Sequence, residues 1–186
     1  MKEGSMKKSY VIFQVKPGWM GLVGSAKGVQ RIYLPGLAKE KLRRGILKEF
    51  PGAEEGEFFA KKAQKELREY FSGRRIRFEA PLDLDGATPF QRKVYREMSR
   101  IPFGELRSYR WLARRIGKPK ALRAVGGANA RNRWPVIIPC HRIVGSDGRL
   151  TGFSAPGGLS LKAALLKLEG IPVQKGRVQI GEIWQR

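Results

Sequence analysis

The chain is short of the residues that proteins most often use for chemistry and cross-linking. Among its 186 residues are one cysteine, Cys140, and one histidine, His141. A lone thiol cannot close an internal disulfide, and one cysteine with one histidine cannot build a Cys/His zinc site. Acids are scarce too: 16 Asp and Glu face 38 Lys and Arg, a formal net charge of +22. No carboxylate cluster suggests a metal, so the expectation is a protein with neither metal nor cofactor. No apolar run approaches the ~20 residues that span a bilayer, so no membrane partner is expected. The stretch Met1-Lys2-Glu3-Gly4-Ser5-Met6-Lys7-Lys8 has no apolar segment behind its charges, unlike a secretory leader. A cytoplasmic protein is the resulting expectation.

The one thiol and the one imidazole are neighbours, within Pro139-Cys140-His141-Arg142-Ile143-Val144. These are the two side chains most often used for nucleophilic chemistry near neutral pH. The charge around them is uneven. Residues 1–86 carry 18 basic and 11 acidic side chains, whereas residues 87–172 carry 17 and 4. Between Arg100 and Arg142 there are eleven basic residues and one acid, Glu105. A thermophile-like solvated surface is the bland explanation, and the presence of only two asparagines fits it. Such surfaces interleave both signs, however, and a nearly acid-free segment reads better as a polyanion-binding footprint.

Local patterns divide the chain into residues 1–86, residues 87–172 and a tail, 173–186. In the first part, Ser9–Lys16, Trp19–Ser25 and Val29–Leu34 are β-rich and separated by turn residues, which predicts an antiparallel meander. Helical spacing follows over Leu37–Phe50 and Glu57–Phe71, where Phe58, Phe59, Ala63, Leu67, Tyr70 and Phe71 share a face. Arg74–Glu79 alternates and is expected to be a fourth strand. Residues 81–86 are expected to be the linker. In the second part, Thr88-Pro89-Phe90-Gln91 combines an N-cap, a proline at the first helical position and a capping-box glutamine. Ser108 can cap a helix over Tyr109–Ile116, and Pro119 opens another from Lys120 to Asn129. Two short helices around Gly117-Lys118-Pro119 fit a helix-turn-helix. Arg142–Leu150 reads as a tight hairpin and Leu159–Glu169 as a last helix. Residues 173–186 show no pattern and are expected to be loose.

The hexapeptide at Pro139–Val144 resembles that of the O6-alkylguanine-DNA alkyltransferases, the methylated-DNA–protein-cysteine methyltransferases. Other segments fall at family-like spacing. They are Pro102-Phe103-Gly104-Glu105 with Ser108-Tyr109, Arg123-Ala124-Val125-Gly126-Gly127-Ala128, Asn132, Gly157-Gly158-Leu159 and Leu165-Leu166-Lys167-Leu168-Glu169-Gly170. The match is strong over about residues 88–170. The N-terminal part matches only in architecture, and it lacks the zinc ligands that some relatives carry there.

The resemblance implies an α+β protein of two domains. The N-terminal one is a small antiparallel sheet with helices, RNase H-like; the C-terminal one is mostly helical, winged-helix-like, with a helix-turn-helix. It implies a monomer that binds double-stranded DNA carrying alkylated guanine. The reaction is one irreversible transfer of the alkyl group to Cys140, with alkylthymine as a further substrate left open. Glu169 would hold His141, and His141 would activate a water that takes the thiol proton. Asn132 would orient the active-site turn through the backbone. Tyr109 would donate its hydroxyl to the purine ring nitrogen and crowd the target phosphate. Arg123 would be the finger that fills the stack vacated by the flipped base. Ala124, Gly126 and Ser108 would face DNA, with the small residues Ala121 and Gly127 suiting the minor groove. Ile143, Ser154 and Pro135 would line the base pocket, and Arg142 would tie the two domains together. Trp134, in Asn132-Arg133-Trp134-Pro135 where relatives commonly have Asn-Pro-x-Pro, would pack against or shield the site. The loop Phe153–Gly158 is about two residues longer than in the shorter family form.

Three other readings stand beside this one. A non-catalytic lesion-binding protein of the alkyltransferase-like kind has another residue in place of the nucleophile, and this chain has Cys140. A methylation-responsive regulator would need additional DNA-binding and zinc modules. A Cys-His hydrolase would leave the basic half without a purpose.

Overall fold

The computed structural model describes residues 7–179 and Gly181. The chain divides into two compact units, Met1–Asp85 and Gly86–Arg186. The N-terminal residues on which the absence of a leader was read, apart from Lys7 and Lys8, lie outside the described residues. Among the described residues no helix is long and apolar enough to cross a membrane.

The first unit is built on β1 (Ser9–Val15), β2 (Gly18–Ser25) and β3 (Gly28–Tyr33), an antiparallel meander as its alternation and turns predict. The fourth strand is not Arg74–Glu79. It is β4 (Glu54–Glu55), which pairs parallel to β1 and completes the order β3-β2-β1-β4. The 74–79 segment fails to pair because its last backbone donor, with that of Ala80, goes elsewhere. The buried Glu66 carboxylate accepts from the Glu79 and Ala80 amides, both at 3.1 Å.

Helix α1 (Lys39–Glu49) lays Leu42 and Ile46 on the sheet, in a core with Tyr10, Val23, Phe50 and Ala53. Helix α2 (Lys61–Phe71) buries Ala63, Leu67, Tyr70 and Phe71. Phe58, grouped with them by sequence, precedes the helix and is 61% exposed. The expected linker is held to the sheet: the Val29 amide donates to Pro81 O and the Asp83 amide to Val29 O.

In the second unit α3 (Pro89–Met98) starts with the capping box read from the sequence. Thr88 accepts from the Gln91 amide and Gln91 accepts from the Thr88 amide. A short strand β5 (Arg107–Ser108) leads into α4 (Tyr109–Arg115), and Gly117 turns the chain with φ +73 toward α5 (Leu122–Ala130). Only glycine adopts that conformation without strain. Then come a 3-10 turn, Cys140–Arg142, strand β6 (Ile143–Val144) and α6 (Gly158–Leu168).

The expected hairpin over 142–150 is corrected. Its tight turn exists, with the Gly145 amide on Arg149 O, but β6 pairs parallel with β5. The arm after the turn pairs with residues read as a loose tail: Leu150 N donates to Gly176 O and Val178 N to Gly148 O. Leu106, Val144, Leu150, Leu166, Ile171 and Val178 then close one core, and burial of these side chains is what holds the tail. Residues 180 and 182–186 of that tail lie outside the described residues.

Candidate active site

The turn that carries the thiol is fixed from both ends. Asn132 Nδ2 donates to Ile138 O at 2.8 Å while its Oδ1 accepts from the Trp134 amide at 2.9 Å. The Ile138 amide in turn donates to Trp134 O at 2.8 Å. Pro135 and Pro139 cannot donate to a ladder, so the segment crosses the interior as a cross-braced loop rather than a strand. Val136 lies within it at φ +76, a region β-branched residues rarely enter, and is fully buried. Strain of that kind persists only where the surroundings over-determine the backbone. Trp134 is buried edge-on against Tyr95, so it packs under the site.

Cys140 is 5% exposed and His141 wholly buried. His141 Nε2 lies 2.7 Å from Glu169 Oε1. The carboxylate also accepts from Arg142 Nε and Nη2, each at 2.9 Å, and from the Gly104 amide at 3.0 Å. Arg142 Nη1 reaches Ile101 O at 2.6 Å. The turn Ile101-Pro102-Phe103-Gly104 thereby serves as the floor of the ion pair, and Gly104 takes φ +77 to present its amide. Arg142 thus spends Nε, Nη1 and Nη2 on partners within the second unit.

Electrostatics set the protonation states. Burial pushes the Glu169 carboxyl up, but His141 and Arg142 outweigh it and hold the group well below the usual carboxylate range. Burial pushes His141 down, against the pull of Glu169. The pair is therefore a neutral imidazole donating from Nε2 to a carboxylate, which leaves Nδ1 as the nitrogen able to take up a proton. Burial raises the Cys140 thiol, opposed by a hydrogen bond from Asn132 and by the nearby charge of Lys162. A thiol held up in this way reacts only where a base and a cation are at hand.

That cation was not foreseen. Lys162 is fully buried, and its Nζ binds Ile143 O and, at 2.8 Å, Thr151 O. Burial lowers it to about 8, opposed by Cys140. A signal existed in the sequence: Lys162, Leu165, Leu166 and Glu169 follow i, i+3, i+4, i+7 spacing, so the lysine and the glutamate share the buried face of α6.

The remaining candidates differ in exposure. Arg123 and Ala124 are exposed on α5, and Gly126 is half-buried. Arg123 and Gly126, with Tyr109, Arg110, Leu122 and Gly152, border an open cavity of about 420 Å³, which Ala124 does not line. Tyr109 Oη donates to Thr151 O at 3.3 Å, and burial raises its hydroxyl above the ordinary value. Ile143 and Pro135 are buried beside the cysteine turn. Ser154 is exposed, its hydroxyl donating to Ala130 O. Ser108 is corrected: it has no exposed surface, and its hydroxyl caps α4 by accepting from the Trp111 amide at 3.0 Å.

Residues 89–171 match the family described as "6-O-methylguanine DNA methyltransferase, DNA binding domain". The chain is 42% identical over 161 residues to the methylated-DNA–protein-cysteine methyltransferase of Methanosarcina barkeri, covering 86% of this chain and 96% of that protein. It is 50% identical over 109 residues to the constitutive enzyme of that name from Bacillus subtilis, covering 59% of this chain and 65% of that protein. The crystal structure of Mycobacterium tuberculosis O6-methylguanine methyltransferase superposes with a TM-score of 0.72 at 35% identity, over 90% of this chain and 96% of that one. The same protein solved in complex with DNA gives 0.71 at 34% identity, over 87% and 93%. The chain belongs to the methylated-DNA–protein-cysteine methyltransferase family.

Proposed function

We propose that this protein repairs DNA by moving the alkyl group of O6-alkylguanine onto Cys140, once per molecule. The observation that carries the reading is the position of the chain's one thiol, buried beside a neutral imidazole, a carboxylate and an ammonium. Residues 87–172 act as the DNA-binding and catalytic domain and residues 1–86 as a separate domain. The basic helices α4 and α5 grip the minor groove, with affinity dominated by phosphate contacts. Arg123 enters the stack and the lesion base swings out, at a cost of a few kcal/mol.

In the site, His141 takes the thiol proton through a water while Glu169 holds its ring and favours the charged form that results. Lys162 supplies the positive charge next to the thiolate. The sulfur attacks the alkyl carbon, the carbon–oxygen bond breaks, and its electrons pass to the purine oxygen and ring. Tyr109 donates its hydroxyl to a ring nitrogen and so spreads that charge. The proton lost by the thiol returns to the base, leaving S-alkylcysteine and intact guanine. Nothing regenerates the thiol, so the protein is consumed. The reading places it in the cytoplasm, acting as a monomer.

The test is recovery of guanine from a duplex with one O6-methylguanine, by nucleoside chromatography after titration with protein. The expected yield rises linearly to one guanine per protein and stops. Continued turnover, or no guanine at all, would refute the proposal.

A further inference from the structure

Asn129 sits in α5, six residues beyond Arg123, with no functional role expected from the sequence, yet it is 2% exposed. Its Nδ2 donates to Tyr109 Oη and to Gly152 O, both at 3.3 Å. Its Oδ1 is buried with no hydrogen-bond partner among the described residues. An asparagine in a protein interior normally satisfies its oxygen. This one is held with the nitrogen facing inward because Gly152 O can only accept, so a flipped amide would set oxygen against oxygen. The consequence falls on Tyr109. With Asn129 donating to it, the phenol oxygen is fixed as an acceptor on that side, and its single proton must point elsewhere. In the free protein it goes to Thr151 O.

The approach that permits this depends on Gly152, at φ +65. A Cβ there would lie 2.4 Å from Tyr109 Oη, so any side chain would push the tyrosine out of the arrangement. Both Asn129 contacts are long, as catalytic hydrogen bonds often are before substrate closes on them.

We propose that Asn129 is a positioning residue that aims the Tyr109 proton at the flipped purine and, by donating to the phenol oxygen, makes that hydroxyl the stronger donor. The inference rests on the alkyl-transfer reading above and adds to it the group that sets the direction of proton donation. In the complex the Tyr109 hydroxyl exchanges Thr151 O for the base, while Asn129 keeps its oxygen from turning to accept from the base instead.

The test is the single-turnover rate of methyl transfer from methylated duplex, with N129L and N129D made in both the wild-type and Y109F backgrounds. N129L removes the amide and is expected to slow transfer about tenfold to a hundredfold. N129D keeps the shape but offers only acceptors, draws the Tyr109 proton to itself, and is expected to slow transfer further. In the Y109F background neither substitution should slow transfer again, and N129L and N129D in the wild-type background should bind unmodified duplex as the wild type does. Losses that multiply with Y109F, or an N129D protein as fast as wild type, would overturn the inference. N129D sets a carboxylate oxygen against Gly152 O, so N129A, which removes the amide without adding an acceptor, carries the test if either protein melts early, with the loss expected of N129L. Wild-type protein that gains no methyl group would instead bring down the alkyl-transfer reading itself, and this inference with it.

Discussion

Replacing Glu169 by glutamine keeps the shape of the side chain and removes its charge. The wild-type carboxylate, 4% exposed, accepts from His141, twice from Arg142 and from the Gly104 amide. In E169Q an NH2 group faces donors it cannot satisfy, and the Arg142 guanidinium, itself 6% exposed, loses its counter-charge. Breaking a buried pair from one side costs about 3–5 kcal/mol. For a unit of this size about 4 °C is lost per kcal/mol, so the melting temperature by calorimetry should fall by roughly 12–20 °C. E105Q provides the control, because the Glu105–Arg107 pair is partly solvated, and its loss should cost under about 1 kcal/mol. Acid should narrow the gap between wild type and E169Q. The folded-state carboxyl is depressed, so its contribution is complete above the unfolded value of about 4.3 and is lost as pH falls below it. An E169Q protein that melts within a few degrees of wild type at neutral pH, or a gap that widens on acidification, would refute this account of the site.

C140S should abolish transfer while leaving the affinity for unmodified duplex, measured by fluorescence anisotropy, within about twofold. R123A should slow repair of duplex far more than reaction with free O6-alkylguanine; equal losses in a rate assay on both substrates would remove the finger assignment. Lys162 is lowered to about 8, so the unfolded chain binds its proton more tightly up to about pH 10.4. The cost of burying Lys162 therefore disappears above that pH and grows as pH falls toward 8, reaching roughly 3 kcal/mol. Between pH 7 and 10 wild type should gain on K162M by that order in melting experiments, and a constant difference would show that the lysine is not buried charged. Affinity for duplex should drop steeply between 50 and 200 mM salt, by about 10³-fold if some six phosphates are engaged.

What could be read from the sequence was local. Thr88 with Gln91 and Ser108 before Tyr109 announce helix starts because capping is settled within four residues. Cys140, His141 and Asn132 stand out because their spacing reproduces a known ordered set, and Asn132 does brace the turn through the backbone. Most of the misses are long-range. Arg74–Glu79 has the alternation of a strand, but Glu66, on another element, takes its last donor. Glu54–Glu55 is too short and too polar to register as a strand, and pairs only because β1 offers an edge.

Arg142 could be given no partner by inspection, since Glu169 lies 27 residues away and Ile101 lies 41. The tail at 173–178 carries two apolar anchors, Val173 and the buried Val178, whose worth depends on a core assembled from distant segments. Lys162 looked like one more solvent lysine in a basic chain, and only its heptad spacing to Glu169 hinted otherwise. Ser108 shows the opposite error: a motif position expected to contact DNA is buried and ends a strand and caps a helix.

The central claim is that the sulfur of Cys140 is the terminal acceptor of the alkyl group. Intact-mass spectrometry of the protein after mixing with an equimolar O6-methylguanine duplex, followed by peptide mapping, tests it directly. The account predicts a gain of one methylene, complete at one equivalent and confined to the peptide holding Cys140. An unchanged mass, or a methyl group on any other residue, would contradict it.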